Sequence, residues 1–143
     1  DRIINFFPAD RHDQVWMDLS LNLRGMVAQQ LIATVDGKGR RAAIEVLINS
    51  PLGSDIIRKG EVHALKEVMS KSTEQGMQTF DQALFNLYID GDVSHEAALA
   101  SADSANDLRL LIKLSGREPN TRGNVAGLSL QSQDDNEIGA RRR

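Results

Sequence analysis

Gln29-Gln30-Leu31-Ile32-Ala33-Thr34-Val35, then Asp36-Gly37-Lys38-Gly39, then Arg40-Arg41-Ala42-Ala43-Ile44-Glu45-Val46-Leu47-Ile48-Asn49 is the stretch whose reading decides the fold. Two apolar runs rich in β-branched residues flank a segment with two glycines, and glycine supplies the positive φ that tight hairpin turns demand. The spacing predicts a β-hairpin, with strands over 29–35 and 40–49. In the second strand Ala43, Glu45 and Leu47 alternate with Ile44, Val46 and Ile48, which predicts burial on most of both faces.

Upstream, residues 1–8 predict the end of a helix or strand that Pro8 stops. Asp10 then reads as an N-cap with Asp13 at N3, carboxylates placed where a helix N-terminus is electropositive. Trp16, Leu19, Leu23 and Met26, with Val15 and Val27 alongside, recur at three- and four-residue steps and predict one buried helical face.

Downstream, Ser50-Pro51 reads as a helix start, with Ser50 as N-cap and Pro51 at the first helical position. That helix carries Leu52, Ile56 and Ile57 and ends at Gly60; a second, over 61–72, buries Val62, Leu65 and Met69. Thr79 and Gln82 match a capping box, opening a helix with Phe80, Ala83, Leu84, Leu87 and Tyr88 inward and Gly91 as terminator. Ser94 caps a short helix through Ala102, and Ser104 with Asp107 caps a last one facing Leu108, Leu111 and Ile112. From Gly116 the periodicity dissolves into Gly, Asn, Ser and Gln, and a disordered tail over 116–143 is expected.

Composition narrows the function classes. With 17 basic against 20 acidic residues the net charge is −3, so nucleic-acid binding has no global electrostatic support. Aromatics are 4% and are not interleaved with Lys and Arg as single-strand binding would require. The absence of cysteine excludes disulfides, thiolate nucleophiles and cysteine-ligated zinc. No apolar run approaches the roughly 18 residues of a spanning helix, and no charged-then-apolar start reads as a signal peptide. A soluble, intracellular protein is expected. The chain starts at Asp1 with no initiator Met and an apolar pattern already under way, which reads as the middle of a longer polypeptide.

The catalytic constellations are missing. Gly37-Lys38-Gly39 lacks the Ser/Thr, the spacing and the following helix of a phosphate-cradling loop, and reads as a hairpin turn. His12, His63 and His95 stand singly, without the i, i+4 partner of a metal-binding pair, and read as surface histidines; no metal site is assigned. There is no Gly-x-Ser-x-Gly elbow. Asp10, Asp13 and Asp18 read as helix-end chemistry and a solvated face. No catalytic residue is assigned, and this chain alone is not expected to complete a catalytic cycle.

Three strings, Asp1-Arg2-Ile3-Ile4-Asn5-Phe6-Phe7-Pro8, Leu23-Arg24-Gly25-Met26-Val27-Ala28-Gln29-Gln30-Leu31 and Gly76-Met77-Gln78-Thr79-Phe80-Asp81-Gln82-Ala83-Leu84, carry a resemblance. In this order they resemble the type IV pilus retraction ATPases, the PilT/PilU family of the secretion-ATPase superfamily, from residue 1 to about residue 114. The segments 50–60 and 106–114 are closer to the PilU-like branch. PilT-type proteins carry Ala-Ile-Arg-Asn-Leu-Ile-Arg-Glu where this chain has residues 52–59, and only Ile57 and Arg58 coincide, with Ile56 a conservative match.

The resemblance implies an α/β fold: the C-terminal portion of a RecA-like P-loop ATPase core with a β-hairpin, then a mostly helical C-terminal subdomain. The implied division is 1–50 for the incomplete core, 51–115 for the helical subdomain and 116–143 for the tail. It implies that the nucleotide motifs lie upstream of residue 1, and that ATP and Mg2+ serve the intact parent and not this part alone. The parent is then a homo-hexameric motor for pilus retraction and twitching motility, cytoplasmic and peripheral to the inner membrane, partnered by a PilT-like ATPase and the membrane platform protein, with no nucleic acid. Guanidinium is always charged and grips phosphate bidentately, so within this frame Arg2 and Arg24 are the candidates for the nucleotide or a subunit interface. Ile56, Ile57 and Arg58 form the retraction-motif region, where Arg58 is the candidate for coupling to the pilus machinery. A different class stays open: a non-enzymatic helical adaptor docking through an exposed apolar helix face.

Overall fold

The hairpin forms over Gly25–Ala33 (β1) and Arg40–Ile48 (β2), antiparallel, with Ala33 opposite Arg40 and Gly25 opposite Ile48. The computed structural model describes residues 3–120. Among the described residues six α-helices lie around the hairpin: α1 (His12–Asn22), α2 (Pro51–Arg58), α3 (His63–Lys71), α4 (Phe80–Ile89), α5 (His95–Ser101) and α6 (Ala105–Ser115). Among the described residues none of them is long and apolar enough to cross a membrane.

The turn at 34–39 is closed by its own polar groups: the Gly37 N–H donates to the Thr34 carbonyl at 2.9 Å and the Gly39 N–H to Thr34 Oγ1 at 3.0 Å. Val35, expected to end the first strand, instead donates its N–H to the Asp92 carbonyl at 3.0 Å, fastening the hairpin tip to the turn after α4.

Strand period 2 puts Ala43, Glu45 and Leu47 on one face of β2. Ala43 and Leu47 are buried and Glu45 is half-buried, whereas Ile44 and Ile48 on the opposite face are exposed. The expectation of burial on most of both faces therefore does not hold among the described residues, because the helices cover only one side of the two-stranded sheet.

Two apolar cores share that covered face. The first gathers Ile32 and Ala43 of the hairpin with Ala83 and Leu84 of α4, Val93, Ala98 of α5 and Leu108 of α6. The second gathers Leu47 with Ile56 and Ile57 of α2, Leu65 and Met69 of α3, and Met77; Trp16, Leu19 and Leu23 pack against it half-buried. Ala43 thus belongs to one core and Leu47 to the other, with Glu45 between them.

Helix starts follow local chemistry. Ser50, Thr79, Ser94 and Ser104 each accept an N–H three residues on, and Gln82 Oε1 accepts the Thr79 N–H at 3.0 Å to complete the capping box.

At the N-terminal end the structure corrects the sequence reading. A 3-10 turn over Ala9–Arg11 runs directly into α1, the N-cap is Arg11, and Asp10 makes no side-chain cap. The helical face was also drawn too long: α1 ends at Asn22, Leu23 is extended, and Met26 and Val27 pair with Leu47 and Val46 in the sheet. Residues 1–8 hold neither an α-helix nor a strand among their described positions, only a 3-10 turn over Ile4–Phe6. Of the expected tail, 121–143 lies outside the described residues; Gly116 closes α6 in the left-handed region, and the Asn120 N–H donates to the Ile89 carbonyl at 2.8 Å.

Candidate functional site

The segment 49–59 is the part of the chain where sequence-derived candidates meet. Its helix, α2, begins because Ser50 Oγ accepts the Gly53 N–H at 3.1 Å and Pro51 needs no partner at the first helical position. Asn49 ties this start to the α1–β1 link. Its Nδ2 donates to the Leu23 carbonyl and to Ser54 Oγ, both at 2.9 Å, and its backbone N–H donates to the Arg24 carbonyl at 2.9 Å. A Cβ on Gly53 would stand 2.7 Å from Asn49 Oδ1, so the close approach requires glycine there. At the far end Gly60, at φ +71°, lies against the Trp16 indole, a Cβ there meeting Nε1 at 3.2 Å.

The helix has two unlike faces. Ile56 and Ile57 are 7% and 3% exposed and anchor α2 in the second core. Arg58 is exposed and donates to Asp55 Oδ1 at 2.7 Å, while Lys59 Nζ reaches Asp55 Oδ2 at 2.7 Å. The Lys59 hydrogen bond first, and the Arg58 one second, hold the Asp55 carboxyl below the usual aspartate value. Asp55 in turn holds the Lys59 ammonium above its usual value. These are solvent-screened pairs, worth little stability, that orient the arginine. Of the three retraction-motif candidates, Arg58 is thus the one at the surface.

Arg24 is exposed on the two-residue link between α1 and β1 and takes part in none of the ion pairs among the described residues. Its backbone is joined to the start of α2 through Asn49. Arg2 lies outside the described residues. Asn49 is the residue that sequence reasoning missed: an Asn at a strand end carries no local signal of the three partners it binds.

A second feature is an open cleft of about 940 Å³ at the hairpin tip, lined by Lys38, Arg40, Arg41, Tyr88, Asp92 and Ser94 among others. Arg41 is already paired with Asp92, Nε to Oδ2 at 3.0 Å. The Asp36 carboxyl is held below its usual value, chiefly by the Thr34 hydroxyl and then by the Lys38 amide.

The hairpin turn does not form a cradle for a magnesium nucleotide. The Gly37, Lys38 and Gly39 amides, which a phosphate would need, are bonded within the turn to the Thr34 carbonyl, Asp36 Oδ1 and Thr34 Oγ1. Among the described residues no group of three or more His, Cys, Asp or Glu is placed to hold a metal ion. His12 Nε2 is 3.0 Å from the Phe7 carbonyl and His95 lies edge-on to Tyr88. No hydrolytic step is derived from this chain.

No family model matches the sequence. Individual proteins do. The chain is 63% identical over 145 aligned residues to the type IV pilus ATPase PilU of Pseudomonas aeruginosa, covering 100% of this chain and 38% of that protein. It is 35% identical over 108 residues to a twitching motility protein of Neisseria gonorrhoeae, covering 76% of this chain and 29% of the relative. Among solved structures, the pilus retraction motor PilT with bound ADP superposes with a TM-score of 0.61 at 31% identity, over 76% of this chain and 30% of that one. The chain therefore spans well under half the length of the proteins it matches.

Proposed function

From the premise that the chain belongs to the PilT/PilU family of type IV pilus ATPases, we propose that it is the C-terminal part of a hexameric motor that drives or assists pilus retraction in twitching motility. The identity to PilU over the whole chain carries this reading. On it, residues 1–50 close a RecA-like core, 51–115 form the helical subdomain and 116–143 follow as a tail. ATP and Mg2+ belong to the longer polypeptide, and this part is not catalytic alone.

The role that the geometry supports is force transmission. Ile56 and Ile57 lock α2 into a packed core, so motion of that core carries the surface-borne Arg58 with it. Arg58 is then a coupling residue toward the pilus machinery, where a PilT-like ATPase and the membrane platform protein are the partners, at the cytoplasmic side of the inner membrane. Arg24, exposed and free of ion pairs among the described residues, suits a nucleotide or a neighbouring subunit; Arg2 is the second candidate on sequence grounds alone.

The test uses the longer ATPase that contains this chain. Arg24→Ala is expected to lower ATP hydrolysis by about tenfold or more, and Arg58→Ala to leave hydrolysis within about twofold while slowing twitching. Undiminished hydrolysis in Arg24→Ala removes that residue from the mechanism, and undiminished twitching in Arg58→Ala removes the coupling role.

A further inference from the structure

The two cores meet across a polar seam whose members come from four places in the chain. Glu45 of β2 stands on the covered face between Ala43 of the first core and Leu47 of the second. Its Oε1 is buried and accepts no hydrogen bond. Lys66 of α3, on the side of the second core, pairs with Asp103 of the α5–α6 connection, on the side of the first. Asp81 in the first turn of α4 pins that connection: its Oδ1 accepts the Asp103 N–H at 2.9 Å and its Oδ2 the Ser104 N–H at 3.2 Å.

The charges that act on Glu45 among the described residues, those of Lys66, Asp103 and Asp81, belong to this seam. Burial raises its proton affinity, the Lys66 charge opposes that, Asp103 and Asp81 add to it, and the Phe80 amide at the start of α4 favours the ionised form. Lys66 feels the same set: burial pulls its ammonium down, and the Asp103 hydrogen bond with the charges of Asp103, Glu45 and Asp81 outweighs burial. Lys66 is thus bonded to one carboxylate of the seam and acts electrostatically on another, Glu45, whose Oε1 has no partner.

We propose that Lys66 is a two-position latch between the cores: its ammonium leaves Asp103 for the unpartnered oxygen of Glu45, freeing the α5–α6 connection from α3. In the observed position the latch ties α3 to the first core. In the alternative position Lys66 and Glu45 hold α3 to the hairpin, and the α4–α6 half loses its ionic tie to α3. The bond from Gln82 Nε2 of α4 to the Ser70 carbonyl of α3, at 3.1 Å, remains. Ion pairs that exchange partners across a packed seam are a means of biasing small shear movements. The inference stands on this chain's own residues and does not depend on the ATPase reading.

The test is a titration of the Glu45 side-chain carbonyl by NMR in the 143-residue chain, in Asp103→Asn, in Lys66→Met and in the double variant. Freed from Asp103, Lys66 should move to Glu45, so Asp103→Asn lowers the Glu45 midpoint by about one pH unit, a tenfold change in proton affinity. With Met at position 66 the same Asp103→Asn change should produce less than about a third of that shift. Equal shifts in the two backgrounds mean that Asp103 acts on Glu45 by repulsion alone, and overturn the latch. A second reading comes from amide exchange at Ser104: Glu45→Gln removes the ionic alternative, keeps Lys66 on Asp103 and slows exchange there. Unchanged or faster exchange at Ser104 in Glu45→Gln also overturns it.

Discussion

The first core and the second are built from the same hairpin but held in different ways. Leu84, Leu108 and Val93 are the largest fully buried side chains among the described residues, and all three belong to the first core. The helices α4, α5 and α6 around it each begin with a side-chain cap. In the second core two of the buried side chains are Met69 and Met77, flexible groups that fill irregular space, and α1 and α3 start without a side-chain cap. Only α2, the helix that carries Arg58, has both a cap and a buried anchor on that side. The difference assigns roles: the first core is the scaffold, and the second is a softer mount that holds one well-built helix.

Truncation should separate the two most strongly. Leu84→Ala, at a site with no exposure, is expected to cost about 4 kcal/mol, against about 2 kcal/mol for Met69→Ala, measured as shifts in urea midpoint. Equal losses would erase the contrast. Gly53→Ala comes next, at about 2 kcal/mol, because the new Cβ meets Asn49 Oδ1; adding Asn49→Ala should recover part of the loss by removing the clash. Removing the cap at the entrance of α4, Thr79→Ala, is expected to cost about 1 kcal/mol in thermal unfolding.

The seam between the cores adds a pH dependence of defined sign. Burial chiefly raises Glu45 above its ordinary value of 4.5, so the folded chain holds that proton more tightly than the unfolded one. The stability that Glu45 contributes is full below that ordinary value and is lost as pH rises through the raised one. Glu45→Gln should remove this fall, so its advantage over the parent chain in urea midpoint grows between pH 4 and pH 7, beyond any constant offset. A constant difference would contradict the assignment. Smallest of all, Arg58→Ala should leave the urea midpoint of unfolding unchanged, as its pair with Asp55 is exposed on both sides.

What could be read from the sequence follows the range of the interaction responsible. Ser50, Thr79, Ser94 and Ser104 act on amides three residues away, so the four capped helices were legible, and the glycines of 36–39 placed the hairpin turn. The α1–β1 boundary was not. Leu23, Met26 and Val27 continue the helical spacing of Trp16 and Leu19, and it is pairing with Leu47 and Val46, some twenty residues on, that draws Met26 and Val27 into the strand. Asp10 has the chemistry of an N-cap, yet the 3-10 turn opening after Pro8 places helical backbone ahead of it. At the candidate site the helical spacing of Leu52, Ile56 and Ile57 points to one apolar face, of which Ile56 and Ile57 are buried and Leu52 is exposed. The three bonds of Asn49 and the pairing of Lys66 with Asp103 join distant segments, and no local pattern encodes them.

The proposed role, force transmission in a PilU-type retraction motor, is tested by exchange. Residues 1–143 would replace the matching region of the Pseudomonas aeruginosa PilU relative, and twitching would be scored in cells dependent on that protein, with ATP hydrolysis of the purified chimera measured alongside. Twitching and hydrolysis are both expected to be retained, with added Arg58→Ala slowing twitching alone. A chimera that assembles and hydrolyses ATP but leaves the cells unable to twitch would contradict it.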